Sequence, residues 1–209
     1  MKELLLIVLL AAVIGCGGDK KDQAGDRTAD QSAAATATGD TTVIMPLTIG
    51  NRWIYEVGSF DTVLNSYRVQ RIDTFLVTGD TVVDGETWYF VKDMTPEGGR
   101  VINRSDGLWQ YREGIDPFLF LKFPVSDGAE YITQIGPTKV KNIVNGTAEP
   151  IINSAGRFSC YKYSHLIDKH SLVVDFYFQP GVGGIRMDIF AENGLKPMSR
   201  QELISYELK

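Results

Sequence analysis

From Trp53 onward, apolar and polar side chains take turns with a period of two. Trp53, Tyr55 and Val57 alternate with Arg52, Ile54 and Glu56. Leu172, Val174, Phe176 and Phe178 form one row between Val173, Asp175, Tyr177 and Gln179, and Ile185, Met187 and Ile189 form another around Arg186 and Asp188. Side chains with that period point to opposite faces of a strand, so each run predicts a strand with one face in a core. Between the runs stand Asp84-Gly85, Asp106-Gly107, Asn145-Gly146 and Asn193-Gly194, pairs that tolerate positive φ and predict hairpin turns. No long stretch has a helical period; short helical turns are expected only at residues 117–123 and 198–204. The expectation is a mainly β domain, a single antiparallel meander forming a curved sheet or half-open barrel, with few or no helices.

The N-terminal quarter of the chain is different. All 22 aromatic residues lie at or after Trp53. Residues 17–42 contain no Leu, Ile, Val, Met or aromatic residue and cannot bury enough apolar surface to offset their ordering entropy. They read as a disordered tether with a span of roughly 25–30 Å. Before them, Lys2 precedes an apolar run, residues 4–14, that as a helix would be roughly 16 Å long, against ~30 Å for a bilayer core. That length suits a signal-peptide core. The run ends in Val13-Ile14-Gly15-Cys16, which resembles the lipobox of bacterial lipoproteins, where the cysteine thiol takes up diacylglycerol before the chain is cut ahead of it. Gly17 and Gly18, and not Asp, follow the cysteine; by the same resemblance this favours the outer membrane. The expected organisation is a signal peptide (1–15), a tether lipidated at Cys16 (16–42) and one β domain (43–209).

Three further groups of residues carry a second resemblance. They are Pro46-Leu47-Thr48-Ile49-Gly50-Asn51-Arg52-Trp53-Ile54-Tyr55-Glu56, Ala155-Gly156-Arg157-Phe158-Ser159-Cys160, and Tyr177-Phe178-Gln179-Pro180-Gly181-Val182-Gly183. With the final strand around Tyr206 they resemble a group of uncharacterised bacterial exported lipoproteins across about the whole folded domain. The chain departs from that pattern at Gly184-Ile185-Arg186. The resemblance implies a curved antiparallel sheet, half-open in the manner of lipoprotein-carrier folds, and no known activity. Pro46 to Trp53 also echoes Pro124-Val125-Ser126-Asp127-Gly128-Ala129-Glu130-Tyr131, which reads better as one local way of entering a strand used twice than as a duplicated half.

No catalytic constellation and no metal or cofactor motif stands out. With Cys16 acylated, Cys160 has no partner for an intramolecular disulfide, and beside Phe158 it reads as a small core hydrophobe. His165, five residues on, falls on the opposite face of a continuous strand. His165, Asp168, His170 and Asp175 meet no metal-ligand spacing, and Asp73, Asp80 and Asp84 read as strand-edge and turn acids. Gly181-Val182-Gly183-Gly184 leads into a strand and not a helix, so it reads as a turn and not a phosphate loop. The net charge of −5 disfavours nucleic acid as a partner. In Trp88, Phe90, Trp109 and Tyr111 the strands are apolar on both faces. Two-sided burial explains this, and so does a concave face for an apolar ligand. The resulting expectation is a membrane-anchored lipoprotein with a non-catalytic binding or structural role. A carrier of lipid or another apolar ligand, and a hydrolase, are the alternatives.

Metabolic labelling with a fatty acid tests the anchor. Wild-type protein is expected to take up label and Cys16→Ser to take up none; label retained by the serine variant contradicts the assignment.

Overall fold

The computed structural model describes residues 40–61, 64–94, 99–167, 172–191 and 197–209. Twelve strands run in chain order: β1 (Arg52–Asp61), β2 (Ser66–Val83), β3 (Glu86–Lys92), β4 (Arg100–Arg104), β5 (Gly107–Arg112), β6 (Ile115–Lys122), β7 (Glu130–Ile135), β8 (Thr138–Asn153), β9 (Gly156–Ile167), β10 (Leu172–Gln179), β11 (Gly183–Ala191) and β12 (Ser199–Glu207). All pairings are antiparallel in one sheet of order β6-β5-β4-β3-β2-β1-β12-β11-β10-β9-β8-β7. The sheet curls into a nearly closed barrel whose single unsealed seam lies between β6 and β7. This is the antiparallel meander that the alternation predicts.

Four local expectations fare differently. Residues 117–123 and 198–204 are not helical; they belong largely to β6 and β12. Asn145-Gly146 is no hairpin turn. It lies inside β8 at a bulge, where pairing moves from Val144↔Tyr163 to Gly146↔Lys162, and a bulge uses the same permissive backbone as a turn. Asp84-Gly85 does turn β2 into β3, with φ values of 51° and 82°. In Asp106-Gly107 the turn sits one residue earlier, and Gly107 opens β5 opposite Arg104. Asn193-Gly194, Asp168 and His170 lie outside the described residues, as do Cys16 and residues 17–39.

One end of the barrel is closed by the segment that leads into β1. Ile44 and Met45 are about 1% exposed, and the segment is tied down on three sides. Gly181 N donates to Val43 O at 2.9 Å, Asn103 Nδ2 to Met45 O at 2.7 Å and Asn51 Nδ2 to Pro46 O at 3.0 Å. Asn51 is fully buried and satisfied on all sides: its Oδ1 accepts from Lys209 N, its own N donates to Thr48 O, and its O accepts from Val77 N. Next to it Trp53, also fully buried, donates Nε1 to Val182 O at 2.7 Å, and Tyr55 OH donates to Gly184 O at 2.9 Å. The first and third sequence motifs therefore bind each other. Gly183 has φ 108°, and a Cβ there would come within 3.3 Å of both Met45 and the Trp53 indole, so the site needs glycine for its conformation and for room.

The internal echo goes deeper than one local solution. Gly50 N donates to Val77 O (2.8 Å), Asn51 N to Thr48 O (2.9 Å) and Val77 N to Asn51 O (3.0 Å). At the echo, Gly128 N donates to Val144 O (2.8 Å), Ala129 N to Ser126 O (3.3 Å) and Val144 N to Ala129 O (2.9 Å). Gly50 and Gly128 both have positive φ, 92° and 74°. Each set introduces a six-stranded meander whose second strand is its longest, 18 residues in β2 and 16 in β8. The sheet order sets β1 beside β12 and leaves β6 and β7 as its two ends, which the curl brings together, so β1/β12 and β6/β7 are equivalent junctions. The first is zipped from Arg52↔Glu207 to Ser59↔Ser199; the second has no ladder. Pro117 sits in β6, and a residue without an N–H suits an edge strand.

Candidate functional site

The inward-facing rows of the strands meet in the middle of the barrel without filling it. Two cavities of about 40 and 70 Å³ share Gln110, Phe120, Phe176 and Met187 as walls. The smaller adds Tyr55, Phe75, Met94 and Gln201 among others, and the larger adds Phe118, Ile135, Val140, His165 and Val174. A water needs roughly 10–15 Å³ of such space, so together they offer room for on the order of five to ten waters, or for one ring-sized group. Phe120 is the hub. Its ring meets Phe176 at 5.1 Å, His165 at 5.5 Å and Phe178 at 6.4 Å, all near 80°, the edge-to-face geometry that aromatic quadrupoles favour.

The larger cavity lies directly behind the seam, since Phe118 and Phe120 come from β6 and Ile135 from β7. Side chains stand in for the missing ladder there. Thr133 Oγ1 donates to Leu119 O at 2.8 Å, Lys122 N donates to Tyr131 OH at 3.2 Å, and Tyr163 OH donates to Lys122 O at 2.9 Å. Burial pushes the Tyr131 hydroxyl up to about 12 and the Tyr163 hydroxyl well above its ordinary value, so both stay protonated as hydrogen-bonding groups.

Two buried polar side chains interrupt the apolar lining. His165 is 7% exposed, and burial lowers its pKa to about 3, so the imidazole is neutral near pH 7. Its Nε2 has no hydrogen-bond partner among the described residues. Gln201, lining the smaller cavity, has an equally unpartnered Nε2. Opposite His165 across the β8–β9 ladder stands Asn142, whose Nδ2 donates to Thr133 Oγ1 at 2.9 Å while its Oδ1 has no partner. Composition could not single these residues out: a histidine and two amides become conspicuous only once β8, β9 and β12 enclose them.

The four aromatics expected to face a ligand are brought together, but on the face opposite the one lining the cavities. Phe90 pairs with Arg100, which pairs with Tyr111, and the Arg100 guanidinium lies 5.1 and 5.2 Å from those two rings. Arg104 lies 5.4 Å from Trp88 and 4.4 Å from Trp109, and its Nε donates to Glu86 at 2.9 Å. Trp88 is 1% exposed and packs against Tyr111 at 6.0 Å. Arginines from β4 thus fill the gaps of a two-rung aromatic ladder through cation–π contacts.

The polar residues weighed for catalysis are separated. Asp175 accepts from Ser164 Oγ at 2.5 Å and pairs with Lys162 at 2.9 Å, whereas His165, the neighbour of Ser164, points to the other face into the cavity. The Cys160 thiol is fully buried and pushed up to about 12 by that burial, which keeps it an unreactive thiol. Beyond the last β9–β10 pair, Tyr161↔Phe178, the β8–β9 ribbon reaches β12, where Phe158 meets Tyr206 at 6.3 Å and Ser154 Oγ meets Ile204 O at 3.5 Å. Outside the plugged end lies an open groove of about 620 Å³ between Asp40, Pro46, Ile102 and Lys209.

No family model and no curated protein matches the sequence. Among solved structures, a candidate lipoprotein from Parabacteroides distasonis aligns with 80% of this chain and all of its own at 13% identity and a TM-score of 0.47. A candidate exported protein from Bacteroides fragilis, described as having a YmcC-like fold, aligns with 79% of this chain and 99% of its own at 11% identity and a TM-score of 0.43.

The buried imidazole makes stability depend on pH. Its folded pKa lies below the unfolded value of about 6.5, so its contribution is intact above pH 6.5 and is lost as pH falls towards 3. The stability of wild type relative to His165→Phe is expected to drop by about 2 kcal/mol between pH 7.5 and 5.0 in urea unfolding. A difference that stays constant over that range contradicts the placement of a neutral buried His165.

Proposed function

We propose that this protein is a bacterial cell-envelope lipoprotein, held at the outer membrane by a lipid on Cys16 and residues 17–42, whose barrel is a non-catalytic module binding a small apolar group. The membrane part of the reading rests on the short apolar run ending in Gly15-Cys16 and on Gly17 in place of Asp. The binding part is carried by one observation: a barrel that could have packed solid instead keeps two adjoining cavities walled by Phe75, Phe118, Phe120, Phe176 and Phe178. Protein interiors normally pack to crystal density with few such voids. The space suits a ring or a short acyl segment and is too small for a two-chain lipid. The seam gives the cavity a side entrance whose closure depends on three hydroxyls and not on a strand ladder.

Toluene is a suitable probe, added without detergent to the full chain carrying Cys16→Ser and followed by methyl NMR. Resonances of Ile135, Val140 and Val174 are expected to shift saturably with a Kd on the order of 0.1–1 mM, the affinity reachable by about seven apolar atoms. Val174→Phe, which fills the larger cavity, is expected to abolish the shifts at Ile135 and Val140. Unsaturable shifts, or shifts unchanged in Val174→Phe, contradict the reading.

A further inference from the structure

We propose that the two adjoining cavities together take an apolar molecule carrying one uncharged hydroxyl-type group, which hydrogen-bonds to Nε2 of His165 in the larger of them. The proposal rests on the reading of the barrel as a binder of small apolar groups, and adds to it the chemistry of what is bound.

A buried polar atom with no partner is costly, and native interiors hold few of them. Two such atoms line the cavities, Nε2 of His165 the larger and Nε2 of Gln201 the smaller, and Oδ1 of Asn142 lies beside His165 across the ladder; others, on Arg100, Asn103 and Asn153, lie away from them. Apart from Gln110 and Arg112, the other walls of this cavity are rings and aliphatic chains, with Phe176 at 4.6 Å and Phe120 at 5.5 Å from the His165 ring. An ionic ligand group at that spot would lose its hydration for a neutral imidazole. A hydroxyl loses less, and it can serve His165 in either tautomer, because it both donates and accepts. Among the described residues the charged side chain on the larger cavity's wall, Arg112, is engaged by other wall residues: its Nη2 donates to Gln110 at 3.3 Å and its guanidinium stands 5.5 Å from the Phe118 ring. A polar end at His165 and an apolar end among Phe120, Phe176 and Val174 give the ligand a direction as well as a size.

Toluene, benzyl alcohol and benzoate separate the possibilities on the full chain carrying Cys16→Ser. Toluene gains more from leaving water than the alcohol does, so the informative quantity is the alcohol-to-toluene affinity ratio compared between proteins. That ratio is expected to fall about tenfold in His165→Phe, the worth of one hydrogen bond, while toluene binding persists. In the wild type, benzyl alcohol is expected to shift the His165 Nε2 resonance and toluene to leave it nearly in place, a readout that needs no variant. An unchanged ratio in His165→Phe, or no shift of Nε2 with the alcohol, overturns the proposal and leaves apolar binding standing. Benzoate binding more tightly than the alcohol overturns it in favour of an anion held by Arg112. Failure of all three probes to bind overturns both this proposal and the function it rests on, and leaves the cavity occupied by water only.

Discussion

The buried side chain of Asn51 is the point on which one end of the barrel turns. Its amide joins the entering segment at Pro46 to the chain at Lys209, and its backbone joins β1 to Val77 in β2. A buried amide that makes all its bonds fixes geometry in a way that apolar contacts cannot, because each unmade bond would be paid for in full. With Asn51 in place, Trp53 and Tyr55 point at the β10–β11 turn and bond Val182 and Gly184. The plug residues Ile44 and Met45 then have a floor to lie on.

The same physics explains why the two halves match and where they part. Each half begins with a proline-led segment, a glycine of positive φ and the same three backbone bonds. Closing the sheet requires the first strand of each half to meet the last strand of the other. At β1/β12 the meeting is a ladder. At β6/β7 it is a pair of hydroxyl contacts, Thr133 with Leu119 O and Tyr131 with Lys122 N, backed by Tyr163 of β9 on Lys122 O, beside the larger cavity. A junction of a few side-chain bonds opens at less cost than a ladder, so the weaker of the two equivalent junctions is the one beside the larger cavity.

The alternation in residues 172–178 and 185–189 was enough to read β10 and β11, and with them the fold class. Strand β6 was hidden because Phe118, Leu119, Phe120 and Leu121 are apolar in succession, and because a register shift re-aims the chain between its pairs with Leu108 and Trp109. Asn145-Gly146 misled because a bulge and a turn ask the same of the backbone. The candidate site was less legible. Trp88, Phe90, Trp109 and Tyr111 were visible as an aromatic group, but the register that inserts Arg100 and Arg104 between them is a property of three strands. His165 lay in plain view, grouped with Asp168, His170 and Asp175; its meaning depends on Phe120, Phe176 and Asn142, which come from three other strands.

The most direct test of this account is the stability of Asn51→Ala in urea. If the plugged end depends on that amide, the substitution leaves Pro46 O and Lys209 N without their partner and costs about 2–4 kcal/mol. A variant within about 0.5 kcal/mol of wild type, the range of ordinary surface substitutions, would contradict the claim that Asn51 locks the end of the barrel.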